Sequence, residues 1–435
     1  MQITCLGGGH EVGRSAFLLK GKSNILFDYG LKLNPKEMDV VEYEVEPQHI
    51  RNIGRPLSVK EHIDGIVVSH AHLDHSGNVP FLYKQGDSPL FLTEPTLKLS
   101  NLLWQDTLKI AKITETTPPF SKENAEDAMD AAFFLKLNKS FEITDNAKLT
   151  FYDAAHIPGS VISVIEMEGK NIMYTGDIRA SPSSLFNGCE KKLPKIDYLL
   201  IESTYGSKDH IDREKLEKTF IEHIQETLEN KHYVLIPTLA IERSQEIIAI
   251  LNKYKIKAPI YLDGMAKAAT NIFLEYQNEF RDYKEFKKGM DKVQFVKDQK
   301  QRQKAINQPC IIVSTGGMLE GGPMLWYIKE LGDDPENLII LTSYQVEGTN
   351  GRRLLMTGKI HIDKEVYQPK AKILYYAFSA HAGRSELIDF INIVKPKLVM
   401  PIHGDPESIF AFTQMIETEG YNVRAPKVGE TIELK

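Results

Sequence analysis

Hydrophobic and polar positions in the first part of the chain follow the pattern of short β-strands. The runs MQITCL, SAFLLKG and SNILFDYG are strand-like, and Gly or Lys-Gly turns separate them. HIDGIVVS reads as a buried strand, helices are expected near residues 78–86 and 95–112, and 112–140 is expected to be a loop followed by a helix. Strands return with KLTFYDAA, VISVIEME, NIMYTGD and IDYLLIES. The pattern therefore predicts a β-rich first region.

After about residue 206 the pattern changes to alternating helices and strands. KLEKTFIEHIQETLEN, ERSQEIIAILNKYK and MAKAATNIFLEYQNEF read as helices, whereas HYVLIP, APIYLDG, CIIVS and NLIILTS read as buried strands. The alternation continues through KILYYAFSAHAG, SELIDFINIVK, KLVMPIHGD and ESIFAFTQMIETEG. It predicts a parallel sheet with helical crossovers, and 435 residues indicate more than one domain of an α/β protein.

Composition excludes several classes of protein. The chain is 42% hydrophobic and 26% charged, which is typical of a globular protein. No apolar run approaches the roughly 20 residues of a membrane helix, and the N-terminus lacks the features of a secretory signal. The cysteines Cys5, Cys189 and Cys310 lie far apart without a CxxC motif, which argues against disulfides and a cysteine zinc site. We therefore expect a cytoplasmic protein that does not associate with a membrane.

Charge is unevenly distributed along the chain. The formal net charge of −6 does not by itself indicate a nucleic-acid-binding protein. Residues 281–304, however, contain nine Lys or Arg against four Asp or Glu, with Phe286 and Phe295 among them. Two interpretations stay open for this segment: a solvated helix face, or a surface that follows the phosphates of RNA.

The stretch HAHLDH places His70, His72, Asp74 and His75 directly after the buried strand GIVVS. Three further polar signatures end apolar strands: His156 in DAAHIPG, Asp177 in YTGD and His403 in MPIHGD. Loops at the carboxyl ends of strands are where α/β proteins place their chemistry. Imidazole and carboxylate ligands suit zinc.

Seven ligands are enough for two zinc ions that share one bridging carboxylate. We assign His70, His72 and His156 to the first ion, Asp74, His75 and His403 to the second, and Asp177 to a position between them. Such a pair would produce hydroxide from water near neutral pH. We expect no ligand among the histidines at positions 49, 62, 210, 223, 232 and 361.

The segment GGHEVGRS, residues 8–15, nearly matches the phosphate-binding loop GxxxxGK[ST]. Arg14 stands where the lysine is required, and the following SAFLLKG reads as a strand rather than a helix that would hold phosphate at its N-terminus. We predict a tight turn near the metal cleft instead of a nucleotide site.

HxHxDH followed by His156, Asp177 and His403 on a β-rich scaffold resembles the metallo-β-lactamase superfamily. In that family an early aspartate, matched by Asp28, supports the metal loop without binding metal. Asp177 and His403 are 226 positions apart, which fits an inserted domain. The motifs ESTYG, IPTLAIERSQEI, LDGMA, STGGML, SYQVEGTNGRR and FSAHAG are similar to the β-CASP domain and its boundaries.

This resemblance covers essentially the whole chain and implies a fold and a division into domains. The expected fold is an αββα metallo-β-lactamase sandwich with an inserted β-CASP domain built on a parallel α/β sheet. The expected limits are 1–205 and 361–435 for the sandwich and 206–360 for the insertion. A histidine at the position of His403 favours the RNA-processing branch. The chain resembles archaeal-type homologues of the endonuclease subunit of the cleavage and polyadenylation specificity factor, and we expect it to lack their N-terminal KH domains.

The resemblance implies a zinc-dependent ribonuclease acting on single-stranded RNA, with two Zn²⁺ ions per chain. His381 is the candidate general acid because a histidine can donate a proton near neutral pH. Glu202 would orient it, and Asp74 is also assigned to catalysis. Candidate substrate contacts are Arg179, Ser379 and Arg352.

Several alternatives stay open on the sequence. A small-molecule hydrolase of thioesters or lactones could use the same metal ligands, although such a substrate needs no inserted domain. A DNA-directed nuclease of the same family and a non-catalytic scaffold are further alternatives, the latter disfavoured because every ligand position is filled. The sequence also leaves open whether cleavage is internal or from a 5′ end, and whether the protein forms a homodimer or joins an RNA-processing complex.

Overall fold

The computed structural model describes residues 1–33, 53–84, 86–363 and 365–435, which form two compact units. The first unit comprises Met1–Pro182, Asn187–Asp209 and Ala380–Lys435, and the second comprises Ser183–Phe186 and His210–Ser379. The domain limits expected after residues 205 and 360 stay predictions. His49, expected not to be a ligand, lies outside the described residues. Within these residues no helix has the length and apolar character needed to cross a membrane.

The first sheet of the first unit is mixed and contains seven described strands. Its members are β1 (Gln2–Gly7), β2 (Ala16–Lys20), β3 (Asn24–Phe27), β6 (Gly65–Val67), β7 (Leu90–Leu92), β8 (Ala132–Phe134) and β23 (Thr431–Glu433). Their order is β23-β1-β2-β3-β6-β7-β8, antiparallel from β23 to β3 and parallel from β3 to β8. Beside it, β4 (Lys32–Leu33) and β5 (Ile53–Gly54) form a short antiparallel pair.

The second sheet of this unit contains six described strands in the order β22-β13-β12-β11-β10-β9. They are β9 (Ser140–Thr144), β10 (Ala147–Asp153), β11 (Val161–Met167), β12 (Lys170–Tyr174), β13 (Tyr198–Glu202) and β22 (Leu398–Ile402). Glu168 and Gly169 join β11 to β12 with φ of 51° and 72°. Two successive residues with positive φ form a tight hairpin turn whose twist matches that of the strands. The parallel pairing of β13 with β22 joins segments about 200 positions apart.

The inner faces of the two sheets form one core. Phe17 and Phe27 of the first sheet pack in a buried cluster with Phe151, Tyr174 and Leu200 of the second. Alternation along the strands of the first sheet sends the other side chains outward, as expected for strands buried on both faces.

Helices cover both outer faces of the sandwich. Trp104 and Ala125, from helices on one side, share a buried cluster with Leu18 and Ile66 of the first sheet. On the other side two C-terminal helices pack against the second sheet through Phe390 and Phe412, among other residues. The helices of this unit are α1 (Leu73–Ser76), α2 (Val79–Leu82), α3 (Glu94–Ile113), α4 (Lys122–Asp130), α12 (Arg384–Val394) and α13 (Pro406–Thr418). The predicted αββα sandwich is confirmed.

The second unit is built on a six-stranded parallel sheet of order β16-β15-β17-β14-β18-β21. Its strands are β14 (Val234–Thr238), β15 (Ile260–Asp263), β16 (Val293–Phe295), β17 (Ile311–Thr315), β18 (Leu338–Leu341) and β21 (Lys372–Tyr375), with the separate pair β19 (Ile360–Ile362) and β20 (Glu365–Tyr367). Its helices are α5 (Arg213–Glu229), α6 (Arg243–Lys253), α7 (Ala266–Glu275), α8 (Tyr283–Met290), α9 (Gln299–Ala305), α10 (Pro323–Leu331) and α11 (Asn350–Thr357), with a 3₁₀ turn at Gln277–Glu279. The inserted parallel α/β domain is confirmed.

The local structure departs from the sequence-based expectation at short elements. β8 and β16 were not predicted, because each is only three residues long and exists through pairing with a neighbouring parallel strand. The helix expected at 78–86 is the single turn Val79–Leu82. The helix expected at 95–112 is observed as α3. Long periodic segments were thus predicted well, whereas elements made by tertiary pairing were missed.

Candidate metal centre

The HAHLDH segment follows β6 and turns through the short helix α1. Backbone hydrogen bonds hold it: the N–H of Ser15 donates to the carbonyl of Asp74 at 2.8 Å, and the N–H of Tyr29 donates to the carbonyl of His75 at 2.9 Å. A Cβ on Gly30 would lie 1.8 Å from the Asp74 carbonyl oxygen. Only glycine therefore permits this close approach of the two loops.

Asp28 holds the HAHLDH segment in place through hydrogen bonds to Ser69 and His75. It directly follows β3, adopts a φ of 53° and is fully buried. One carboxylate oxygen, Oδ1, accepts from the N–H of Ser69 at 2.7 Å. The other, Oδ2, accepts from the hydroxyls of Ser69 at 2.7 Å and Tyr174 at 2.5 Å and from Nδ1 of His75 at 2.7 Å. His75 consequently directs Nε2 towards Asp177, whose Oδ1 lies 3.3 Å away.

Three strand ends deliver the remaining side chains. His156 follows β10, Asp177 follows β12 and His403 follows β22. The N–H of His403 donates to the carbonyl of Gly8 at 2.7 Å, and His403 adopts a φ of 50°. The carbonyl of Ala380 lies 3.0 Å from Nδ1 of His156, which leaves Nε2 facing His72 Nδ1 at 3.1 Å.

The structure brings all seven predicted ligands into overlapping groups around Asp177. Asp177 Oδ2 lies 3.5 Å from His70 Nε2 and 3.7 Å from His156 Nε2. Asp177 Oδ1 lies 3.3 Å from His75 Nε2 and 3.3 Å from His403 Nδ1. Each oxygen thus faces a different pair of imidazoles, which is the geometry of a carboxylate between two cation positions.

The seventh side chain, Asp74, stands at the edge of this cluster. Its Oδ2 is 3.3 Å from His403 Nε2, and it groups with His70 and His75. Its side chain is 31% exposed, whereas those of His70, His75, His403 and Asp177 are 2% exposed or less. Asp74 is therefore a ligand candidate that solvent can reach.

Buried polar atoms without partners test whether the residues fit a metal. His70 Nε2, His72 Nε2, His75 Nε2 and Asp177 Oδ1 have no hydrogen-bond partner among the described residues. Leaving four such atoms unpaired in the protein interior costs roughly 1–3 kcal/mol each. Imidazole nitrogens and a carboxylate oxygen aimed at a common centre are what a zinc ion requires. The donor set fits a metal centre.

Without any metal, the protein environment already favours the metal-binding protonation state of most of these histidine and aspartate side chains. Burial holds the pKa of His70 and of His156 well below the usual value, and burial lowers the pKa of His72 to about 4. Burial opposes ionisation of Asp177, but the imidazoles of His75 and His403 hold the pKa of its carboxyl well below the usual range. Burial also lowers the pKa of His75, yet Asp177 and Asp28 outweigh this and raise it. Neutral imidazoles and ionised carboxylates are the states that bind metals.

Glu202 and His381 form a pair beside the cluster. Glu202 ends β13, is fully buried and accepts from the N–H of Ile178 at 2.8 Å. Its carboxylate lies 3.0 Å from Nδ1 of His381, and Asp177 Oδ2 lies 3.9 Å from the same nitrogen. Burial opposes protonation of His381, but Glu202 and Asp177 raise its pKa to about 9. The side chain of His381 is 22% exposed, so solvent reaches part of this residue.

The three predicted substrate contacts lie in different surroundings. Arg179 is buried, and its Nε donates to the carbonyl of Ser181 at 3.0 Å. Ser379 is half-buried at the end of the second unit. Arg352, on α11 of that unit, lies 3.3 Å from Glu347. The basic segment 281–304 forms α8, β16 and α9.

Sequence reasoning missed residues that support the ligands. Ser69 and Tyr174 share Asp28, and the Thr204 hydroxyl lies 3.3 Å from Nδ1 of His403. The only available signal was position, since Ser69 precedes His70 and Tyr174 begins YTGD. The turn predicted at residues 8–15 joins two strands, β1 and β2, and contacts Asp74 and His403 through its backbone, so a strand follows it where a phosphate-binding loop would be followed by a helix.

Three family models match the chain. Residues 24–230 match a Beta-lactamase superfamily domain, residues 244–354 match a Beta-Casp domain, and residues 367–426 match a Zn-dependent metallo-hydrolase RNA specificity domain. The first match includes six of the seven ligand candidates, and the third includes His381 and His403.

Curated relatives are similar over nearly the full chain. "Probable RNase MJ4" of Methanocaldococcus jannaschii is 37% identical over 443 aligned residues that cover 100% of both chains. "RNase aCSPSF2" of Saccharolobus solfataricus is 33% identical, covering 99% of this chain and 85% of the relative. "Transcription termination factor FttA" of Pyrococcus abyssi is 34% identical, covering 100% of this chain and 72% of the relative.

A solved structure supports the fold. A crystal structure of a protein of unknown function from Enterococcus faecalis aligns with a TM-score of 0.63 and covers 99% of both chains. Its sequence identity is 15%, so the likeness concerns the architecture alone.

Proposed function

Because this chain belongs to the β-CASP branch of the metallo-β-lactamase superfamily, we propose that it is a zinc-dependent ribonuclease that hydrolyses phosphodiester bonds in single-stranded RNA. Two relatives are named as RNases, and the matched C-terminal domain model is described by RNA specificity. The observation that carries the proposal is the clustering of seven candidate ligand side chains, Asp177 and six others, in which three imidazole nitrogens and one oxygen of Asp177 are buried without a hydrogen-bond partner among the described residues.

Two groups of side chains would hold the metal ions. His70, His72 and His156 would hold one, and Asp74, His75 and His403 would hold the other, with Asp177 between them. When bound, two zinc ions would supply Lewis acidity that acidifies water and offsets negative charge on the phosphate oxygens. Asp28 keeps His75 in one orientation, since its carboxylate accepts the Nδ1 proton.

His381 would act as the general acid on the departing ribose oxygen. The buried carboxylate of Glu202 lies 3.0 Å from Nδ1 and favours the imidazolium, so the proton would be donated from Nε2. Glu202 would be a positioning residue because it is fully buried and reaches the substrate only through His381. Asp74, as the more exposed carboxylate, would also accept a hydrogen bond from the attacking water.

Phosphate contacts by Arg179, Ser379 and Arg352 are a further part of this proposal. Arg352 presents a guanidinium whose side chain is 42% exposed, which suits a phosphate contact. Arg179 follows Asp177 by two residues, which would place its phosphate contact next to the metal centre.

The test is digestion of one RNA labelled separately at its 5′ and 3′ ends, with wild-type protein and His381→Ala loaded with zinc. Internal fragments seen from both labels would identify an endonuclease, and mononucleotides released from the 5′ label would identify a 5′ exonuclease. The same sequence as DNA, and a thioester substrate, run in parallel.

The proposal requires RNA cleavage that depends on zinc and on His381. Turnover of the thioester without cleavage of RNA would replace it with a small-molecule hydrolase. Preferential cleavage of the DNA strand would replace it with a DNA-directed nuclease. Full RNA cleavage by His381→Ala would remove His381 from the general-acid role.

A further inference from the structure

A tight turn presents Tyr205 next to the candidate catalytic pair. It follows β13, and the N–H of Gly206 donates to the carbonyl of Ser203 at 3.0 Å while the N–H of Lys208 donates to the carbonyl of Tyr205 at 3.1 Å. The hydroxyl of Ser408 donates to the carbonyl of Ser203 at 2.7 Å, which ties the turn to α13. The turn is therefore anchored on the same scaffold that carries Glu202.

Close packing leaves this turn little freedom. A Cβ on Gly206 would lie 2.7 Å from Cβ of Phe412, and the Ser203 hydroxyl donates to the carbonyl of Ile402 at 2.6 Å. Ile402 directly precedes His403, so the turn and the metal cluster share one support. A residue at the tip of such a turn keeps its position when substrate enters.

The ring of Tyr205 lies beside His381, and part of the residue is exposed to solvent. The two ring centroids are 6.1 Å apart with an interplanar angle of 49°. Tyr205 is half-buried, and the ammonium of the exposed Lys208 reaches over its ring at 5.6 Å from the centroid. Because a flexible surface lysine can reach the π-face, a planar group entering from solvent can reach it too.

We propose that Tyr205 is a base-stacking platform for the nucleotide whose ribose oxygen departs, with Lys208 moving from the ring to a neighbouring phosphate. This inference rests on the proposed ribonuclease function and names a binding subsite within it. His381 marks the side of the departing oxygen, so a ring next to His381 belongs to the nucleotide that carries this oxygen. Aromatic stacking is tolerant of sequence because every base has a π-face.

Stacking makes a different prediction from a packing role. If Tyr205 only held His381 in place, its loss would impair cleavage whether or not the substrate carried a base. If it stacks a base, its loss matters only when that base is present. A cycle that combines an enzyme variant with an abasic substrate measures this coupling directly.

The experiment compares zinc-loaded wild type, Tyr205→Ala and the matched control Tyr205→Phe. Substrates are an RNA with one preferred cleavage site and the same RNA with an abasic nucleotide on either side of that site in turn. We expect Tyr205→Ala to lose about 5- to 100-fold in kcat/KM on intact RNA, the range of one base–aromatic stack, and Tyr205→Phe to lose about 2-fold or less. Zinc content is measured for each protein and is expected to be unchanged.

On the RNA lacking the base of the departing nucleotide, wild type should fall by a similar factor and Tyr205→Ala should fall little further. An abasic nucleotide on the other side should leave the effect of Tyr205→Ala intact. Equal losses by Tyr205→Ala on intact and both abasic RNAs would overturn the stacking role while leaving the ribonuclease proposal standing. If wild type cuts no RNA, the proposed function and this inference fail together.

Discussion

Replacing Asp28 with asparagine exchanges one buried carboxylate oxygen for an amide NH₂ while leaving the backbone undisturbed. Asparagine tolerates the left-handed conformation that Asp28 adopts at φ of 53°. The two carboxylate oxygens accept four hydrogen bonds, from the N–H and hydroxyl of Ser69, from Tyr174 and from His75. An amide can turn its oxygen to only one side, so one or more of these donors must face another donor.

The size of the effect follows from counting these bonds. The least costly orientation keeps the amide oxygen towards Tyr174 and His75 and leaves the N–H of Ser69 unpaired. An unpaired buried donor costs roughly 1–3 kcal/mol, and the other bonds lose the strengthening that a charged acceptor gives. We expect the metal-free variant to lose about 3 kcal/mol in free energy of unfolding. His75 would also lose its fixed orientation, which should weaken zinc binding about 10- to 100-fold.

Two measurements on purified protein test this reasoning. Urea denaturation of the metal-free protein gives the free energy of unfolding, and competition with a chromophoric chelator gives zinc affinity. Asp64→Asn is the matched control, because Asp64 accepts from the N–H of Asn24 at the other end of β3 and its side chain is 34% exposed. Its effect on unfolding should be within about 1 kcal/mol, and zinc affinity should not change. Wild-type zinc affinity in Asp28→Asn would refute the argument that Asp28 acts through His75.

Three further predictions follow from the same centre and from the basic segment. Purified protein should contain two zinc ions per chain by elemental analysis. Asp177→Asn should lower the occupancy of both zinc positions, because each oxygen of Asp177 faces a different pair of imidazoles. Loss of one ion only would contradict the bridging role. His381→Ala should cleave RNA about 10²- to 10⁴-fold more slowly than wild type. It should lose far less activity on bis(p-nitrophenyl) phosphate, because the phenolate leaves without needing a proton. Equal losses of activity on both substrates would contradict general-acid catalysis. Reversing the charges of Lys287, Lys288 and Lys292 should weaken RNA binding and flatten its salt dependence. The change should be small, because Lys287 and Lys288 already pair with Asp291 and Glu285. A salt slope equal to that of wild type would dismiss an RNA surface on this segment, and reversal of Lys109 and Lys112 on α3 is the control.

The sequence could predict the class of fold because its longest elements carry strong local patterns. α3 spans Glu94–Ile113 where a helix was expected at 95–112, and the strands β10 to β13 coincide with the four runs that predicted them. β8 could not be found in the same way, since AFF has no periodicity and becomes a strand by pairing with Leu90–Leu92. A three-residue element depends on partners that lie elsewhere in the chain.

In the candidate site, too, the residues with a strong local sequence pattern could be predicted and the others could not. HAHLDH places four potential ligands in six residues, and a local arrangement of that kind needs no tertiary structure to indicate metal binding. Tyr174 and Ser69 carried no such signal, because a tyrosine or a serine has many uses. Only the packing of β12 against β3 and β6 shows that both donate to Asp28.

By itself, then, the sequence determined the residue types that can bind zinc, their placement at the ends of apolar strands and the alternation that builds the inserted parallel sheet. Tertiary structure alone decided which oxygen of Asp177 faces which imidazoles, that Glu202 holds Nδ1 of His381, and that Tyr205 lies beside this pair. The reason is physical: secondary structure responds to neighbours a few residues away, whereas hydrogen bonds between buried side chains join atoms that are hundreds of positions apart along the chain. β13 and β22 pair over about 200 positions, and that pairing sets Glu202 beside the strand that delivers His403.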